Sequence, residues 1–130
     1  TKFQPLALER CIKKNINYSK IKKNIIASSK QCRRSRFPIL GKVKTLEVFL
    51  KKSKSLIIAG VLNSNNKIEN INFNNSKEIS IIIGPEGDFT KDEIELMKKY
   101  GVLFYNMGER RLRSETAAIY SLSILNEKLE

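Results

Sequence analysis

The run from Glu78 to Ile83 is β-branched and apolar, and it empties without a break into Gly84-Pro85-Glu86-Gly87. A run of this kind with little polar alternation is the mark of a strand covered on both faces. Thr90-Lys91-Asp92-Glu93 then forms a capping box that opens a helix, and Gly101 closes it. The same order follows at once. Val102 to Met107 reads as a strand that ends at Gly108. Ser114 or a neighbour caps the last helix, whose apolar stripe is Ala118, Leu122, Leu125 and Leu129. Upstream, Leu56-Ile57-Ile58-Ala59 is a third short run that is apolar on both sides. Strands alternating with helices and covered on both faces imply an α/β fold with a mostly parallel sheet. In such sheets ligands bind beyond the carboxyl ends of the strands, where both glycine loops of this chain lie.

The first half carries less information. Residues Ser19 to Arg33 place Ile21, Ile25, Ile26 and Cys32 among lysines, a spacing that predicts an amphipathic helix ended before Pro38. Thr45 is suited to cap a short helix through Leu46, Phe49 and Leu50. Between Leu62 and Lys77, Asn and Ser dominate, so this stretch is expected to be a loop with at most a short edge segment. At 130 residues the chain is one domain's worth of protein. It begins at Thr1 with no signal-peptide pattern, and reads as part of a longer product. Its longest apolar runs fall far below the roughly 20 residues that cross a bilayer, so no membrane partner is expected.

Twenty-five Lys and Arg against 13 Asp and Glu give a net charge of +12, which favours a polyanionic partner. The seven arginines are concentrated at Arg10, at Arg33, Arg34 and Arg36, and at Arg110, Arg111 and Arg113. Planar bidentate contact with phosphate or a base edge prefers Arg to Lys, so these positions are candidate contacts for a polyanion, RNA or DNA among them. Cys11 and Cys32 are too few for a disulfide scaffold and lack metal-ligand spacing; a reduced, cytoplasmic protein without a metal is expected. Histidine is absent, which excludes His-based triads and the usual imidazole base.

Gly84-Pro85-Glu86-Gly87 is neither a Walker loop nor a dinucleotide fingerprint, so nucleoside triphosphate and NAD sites are poorly supported. It offers rigid backbone groups beside one carboxylate, which suits a neutral-to-cationic nucleoside. Gly108-Glu109-Arg110-Arg111-Leu112-Arg113-Ser114-Glu115-Thr116-Ala117 is the densest polar cluster and stands where a strand meets a helix, whose first amides are free to face a ligand.

Ile82-Ile83-Gly84-Pro85-Glu86-Gly87, followed by Met107-Gly108 and Leu112-Arg113-Ser114-Glu115-Thr116-Ala117, resembles the paired signature of the RsmE family of 16S rRNA uridine-N3 methyltransferases. Glu9-Arg10-Cys11 and Gln31-Cys32-Arg33-Arg34-Ser35-Arg36-Phe37-Pro38 are similar to two further stretches of that family. The family usually has a second glycine where this chain has Asp88. The resemblance implies a SPOUT fold with a C-terminal deep trefoil knot, S-adenosylmethionine as cofactor, a homodimer, and 16S rRNA of the small ribosomal subunit as partner. It implies a cofactor pocket of Ile83, Gly84, Pro85, Glu86 and Gly87 with Met107, Gly108, Leu112, Ser114, Thr116 and Ala117. Arg113 and Glu115 are the implied catalytic residues, and Arg10, Arg33, Arg34, Arg36 and Arg111 the implied RNA contacts. It further implies that residues 1–130 lack the first strand and helix of the domain and an upstream PUA-like RNA-binding barrel. A knotted methyltransferase acting on tRNA and a non-catalytic basic RNA-binding module remain the alternatives.

Overall fold

A computed structural model describes residues 1–12, 15–74 and 76–129. Its centre is a three-stranded, all-parallel sheet of β5 (Leu56–Gly60), β6 (Ile79–Ile82) and β7 (Leu103–Tyr105), with β5 in the middle. Along β5, Ile57 and Ala59 point into one apolar cluster, with Leu46 and Leu50 of α2 (Leu46–Lys52) and Met97 of α3 (Lys91–Lys99). Ile58 points into the other, with Tyr105 and with Leu125 of α4 (Ser114–Leu129). Helices therefore cover both faces, which is why β5 has no polar side to show in its sequence.

The predicted starts and stops hold where they rest on specific chemistry. Thr90 and Glu93 form the expected capping box of α3, and Thr45 caps α2 by accepting from the Val48 amide at 3.3 Å. Gly101 ends α3 with a φ of +73°, while its amide bonds to the Lys98 carbonyl and that of Val102 to Met97. This is a Schellman motif, in which glycine takes the left-handed position at no steric cost. Helix α1 (Tyr18–Gln31), capped by Asn17, ends in the same motif, with Arg34 bonded to Ser29 and Arg33 to Lys30. Here the left-handed residue is Arg33, at φ +54°.

Four features were not anticipated. Residues 1–7 run beside residues 39–45 as two short parallel pairs, β1 (Lys2–Phe3) on β3 (Ile39–Leu40) and β2 (Leu6–Ala7) on β4 (Lys44–Thr45). Pro5, which has no amide to donate, separates β1 from β2, and the Gln4 side chain bridges the gap by donating to the Lys42 carbonyl. The Asn-rich stretch is also more than a loop: Ile68, Ile71 and Phe73 are buried around a 3-10 turn, Ile68–Asn70, that packs against α4. The face α1 was expected to bury is half-exposed, and among its described residues only Ser29 is buried.

The buried line of α4 is Ala117, Ser121 and Leu125, so of the expected stripe Leu125 holds and Ala118, Leu122 and Leu129 do not. The cause is Tyr105, which is fully buried and whose hydroxyl lies 2.6 Å from that of Ser121. Ser121 in turn donates to the Ala117 carbonyl at 2.7 Å, so a polar residue enters the core with its bonding satisfied. Burial pushes the Tyr105 hydroxyl pKa above its ordinary value, more than the bond to Ser121 lowers it. A raised pKa in the fold means that this contribution to stability is intact below about pH 10, the unfolded value, and is lost as pH rises through the folded one. Tyr105→Phe should cost about 1 kcal/mol at neutral pH and flatten the alkaline decline in urea-unfolding stability. An equal decline in both proteins would remove Tyr105 as its source.

Candidate active site

Because β5, β6 and β7 are parallel, their carboxyl ends open on one edge, and the segments that leave them wall a cleft of about 470 Å³ measured out to its mouth. Gly60 and Leu62 come from the end of β5. Ile83, Gly84, Pro85, Glu86 and Asp88 follow β6, and Met107, Arg110, Arg111 and Leu112 follow β7. Ser114 and Ala117 of α4 close it.

Two side chains lock the wall segments together. Ser114 donates its hydroxyl to the Gly84 carbonyl at 2.8 Å, joining the two glycine loops. The N-cap position of α4 falls instead on Arg113, whose carbonyl accepts the Ala117 amide at 2.8 Å. Asn106 donates to the Leu62 and Ser64 carbonyls at 3.2 and 2.9 Å, and its oxygen accepts the Gly108 amide at 2.7 Å. It thereby fastens the segment after β5 to the turn at Gly108, where φ is +109° and a side chain would be strained. Asp88 holds a φ of +62°, a conformation that glycine reaches freely and Asp tolerates. Its carboxylate accepts the Phe89 amide at 2.8 Å.

Of the residues assigned to the pocket from sequence, Ile83, Gly84, Pro85, Glu86, Met107, Leu112, Ser114 and Ala117 line one cleft. Gly87 stands behind the wall beneath the Arg10 side chain, Gly108 sits at the exposed turn, and Thr116 is on the open side of α4. Arg113 and Glu115 are exposed at the start of α4. Arg33, Arg34 and Arg36 are exposed together after α1, on a different segment, whereas Arg111 reaches the cleft with Nη1 3.4 Å from the Glu86 carbonyl. Gly60, Leu62 and Asn106 escaped the sequence reading, and Asp88 and Arg110 were singled out there but not for the pocket. Gly60 carried a usable signal, since it follows a buried strand as Gly84 does. A Cβ there would meet Met107 Cε at 2.8 Å and the Tyr105 hydroxyl at 3.2 Å.

The family model described as the RNA methyltransferase domain matches residues 1–126. The chain belongs to that family. Among curated relatives of this methyltransferase domain, Ribosomal RNA small subunit methyltransferase E of Rickettsia conorii is 35% identical over 130 residues, covering 95% of this chain and 52% of the relative. The protein of the same name from Aquifex aeolicus is 29% identical over 127 residues, covering 95% of this chain and 55% of its own length. The domain thus spans about half the length of the curated relatives it matches, and the resemblance to the RsmE family holds.

Solved structures similar to it include two with bound cofactor. A methyltransferase from Legionella pneumophila in complex with the bound cofactor SAM has a TM-score of 0.84 and 32% identity, covering 96% of this chain and 54% of that one. Ribosomal RNA small subunit methyltransferase E from Neisseria gonorrhoeae, bound to S-adenosyl methionine, has a TM-score of 0.82 and 26% identity, covering 99% of this chain and 54% of that one.

Proposed function

We propose that this RNA methyltransferase domain binds S-adenosylmethionine in the strand-end cleft and methylates N3 of a uridine in 16S rRNA of the small ribosomal subunit. The observation that carries this reading is the make-up of the cleft. Gly60 and Gly84 leave backbone against the space, and two acidic residues, Glu86 and Asp88, line it together with two basic ones, Arg110 and Arg111. A nucleoside amino acid bearing a sulfonium, an ammonium and a carboxylate matches that mixed lining, where a phosphate chain does not. The names of the relatives supply the RNA, and the two SAM complexes support the cofactor. The pocket assignment of Ile83 to Gly87, Met107, Gly108, Leu112, Ser114, Thr116 and Ala117 is part of this proposal.

When bound, the cofactor supplies a methyl group on a positively charged sulfur. Uracil N3 has no free lone pair until its proton leaves, and with no histidine in the chain other groups must manage that proton. Arg113 stabilises the uracil anion, while Glu115 or Glu86 orients the base or relays the proton. The target base is unpaired or extruded so that N3 can be reached. Arg33, Arg34, Arg36 and Arg111 grip RNA phosphates.

The remaining parts of the reading follow the family. The C-terminal segment threads a deep trefoil knot, an exception to the usual unknotted chain, and the likeness to the two SAM-bound structures supports it. The whole protein is cytoplasmic and carries an upstream PUA-like barrel and the first strand and helix of this domain, in keeping with relatives about twice as long. Among the described residues no helix is long and apolar enough to cross a membrane. The protein works as a homodimer, with support from the exposed Ile119, Tyr120, Leu122 and Leu129 on α4.

Calorimetric titration with S-adenosylmethionine separates this enzyme from a basic RNA-binding module: saturable one-site binding is expected, and no heat of binding would sink the cofactor reading. Arg33 gives a second test. An arginine occupies a left-handed helix end that Gly101 shows to be a glycine position, at a cost of about 1–2 kcal/mol. Arg33→Gly should therefore raise thermal stability, while Arg33→Gly and Arg36→Ala each flatten the salt dependence of RNA binding by about one phosphate contact. A destabilised Arg33→Gly protein with an unchanged salt slope would contradict both halves.

A further inference from the structure

The turn Leu8 to Cys11 follows β2, yet it is docked on the first glycine loop, far along the chain. Leu8 and Phe89 are buried in the same apolar cluster. The Arg10 stem lies along Gly87, where an added Cβ would sit 3.1 Å from Arg10 Cβ and 3.2 Å from Cδ. Its Nη1 donates to the Gly87 carbonyl at 2.7 Å and lies 3.5 Å from that of Phe89. One residue earlier, the Glu9 amide donates to Glu93 Oε1 at 2.9 Å. The other Glu93 oxygen accepts the Thr90 amide at 2.9 Å, so the carboxylate that caps α3 also holds this turn.

Between the two carbonyls that face Arg10 is Asp88, at its positive φ. Asp tolerates such a conformation, and contacts that hold the backbone on either side help to keep it. A guanidinium on the flanking carbonyls does so with a bond about twice as strong as a neutral one. We propose that Arg10 is a positioning residue for the cofactor loop: by fastening Gly87 and Phe89 it fixes the Gly84 to Asp88 wall of the cleft. This rests on the cofactor reading above and moves Arg10 out of the RNA-gripping set in which its charge first placed it. The geometry engages its Nη1 with the protein backbone, while the residue itself stays exposed.

The test compares Arg10→Ala and Arg10→Lys with the unaltered full-length protein. Loss of the charge-assisted bond should raise the S-adenosylmethionine dissociation constant about tenfold in Arg10→Ala. Lysine keeps one donor near the Gly87 carbonyl and should bring the constant back to within about threefold. Amide hydrogen exchange at Gly87 to Glu93 should quicken in Arg10→Ala, a readout that needs no cofactor. The salt slope of RNA binding should not change. Unaltered exchange and cofactor affinity, with a slope reduced by about one phosphate contact, would return Arg10 to the RNA surface and overturn the proposal. If the unaltered protein binds no S-adenosylmethionine the cofactor reading fails, and loop exchange then decides the role of Arg10 by itself.

Discussion

Arg113→Ala should cut methyl transfer by about 10²- to 10³-fold, the usual effect of removing one group that stabilises developing negative charge, while cofactor affinity changes by less than about threefold. The asymmetry follows from where Arg113 sits. Its carbonyl is tied into the first turn of α4 by the Ala117 amide, which fixes the backbone, but its side chain is exposed and does not line the cleft. On the proposed reading it meets a base presented at the mouth without contributing to the wall. Single-turnover rates beside calorimetric affinities provide the check. Rate and affinity falling by the same factor would make Arg113 part of the cofactor site and leave the uracil anion without its partner.

Gly60→Val should lower cofactor affinity by about 10- to 100-fold, on the scale of the penalties that overpacking imposes. The first added carbon would lie 2.8 Å from Met107 Cε and 2.9 Å from Sδ. Tyr105, the other neighbour, is fully buried and engaged with Ser121, so it has little room to yield. Met107 can yield, and it already lines the cleft, so its movement fills the space in which the cofactor would sit. Melting temperature measured beside affinity tells the two effects apart. A protein that melts early but keeps its affinity would mean that Met107 swings away from the cleft and that the β5 end is not part of the site.

What could be read from the sequence was what rests on strong local chemistry. Gly84 and Gly108 follow two parallel strands within three residues, the Thr90 and Glu93 pair starts a helix in a way few other patterns do, and eight of the assigned pocket residues line one cleft. What could not be read depends on partners distant in sequence. The two-residue strands on either side of Pro5 exist because residues 39–45 lie beside them, and pieces so short have no period to detect. Ile68, Ile71 and Phe73 were hidden among asparagines, whose turn preference said nothing of the three apolar side chains buried against α4. The α4 stripe was misassigned because hydrophobicity ranks Leu122 above Ser121, whereas a buried tyrosine hydroxyl makes serine the better neighbour. Asp88 shows the converse case. It departs from the family's usual glycine, and its φ of +62° explains why glycine is common there.

The central claim is tested most directly by supplying labelled S-adenosylmethionine and the full-length protein to small ribosomal subunits from cells that lack the enzyme, then digesting the 16S rRNA to nucleosides. The account predicts label in 3-methyluridine. Label on a ribose, on another base, or in tRNA but not in 16S rRNA would contradict it.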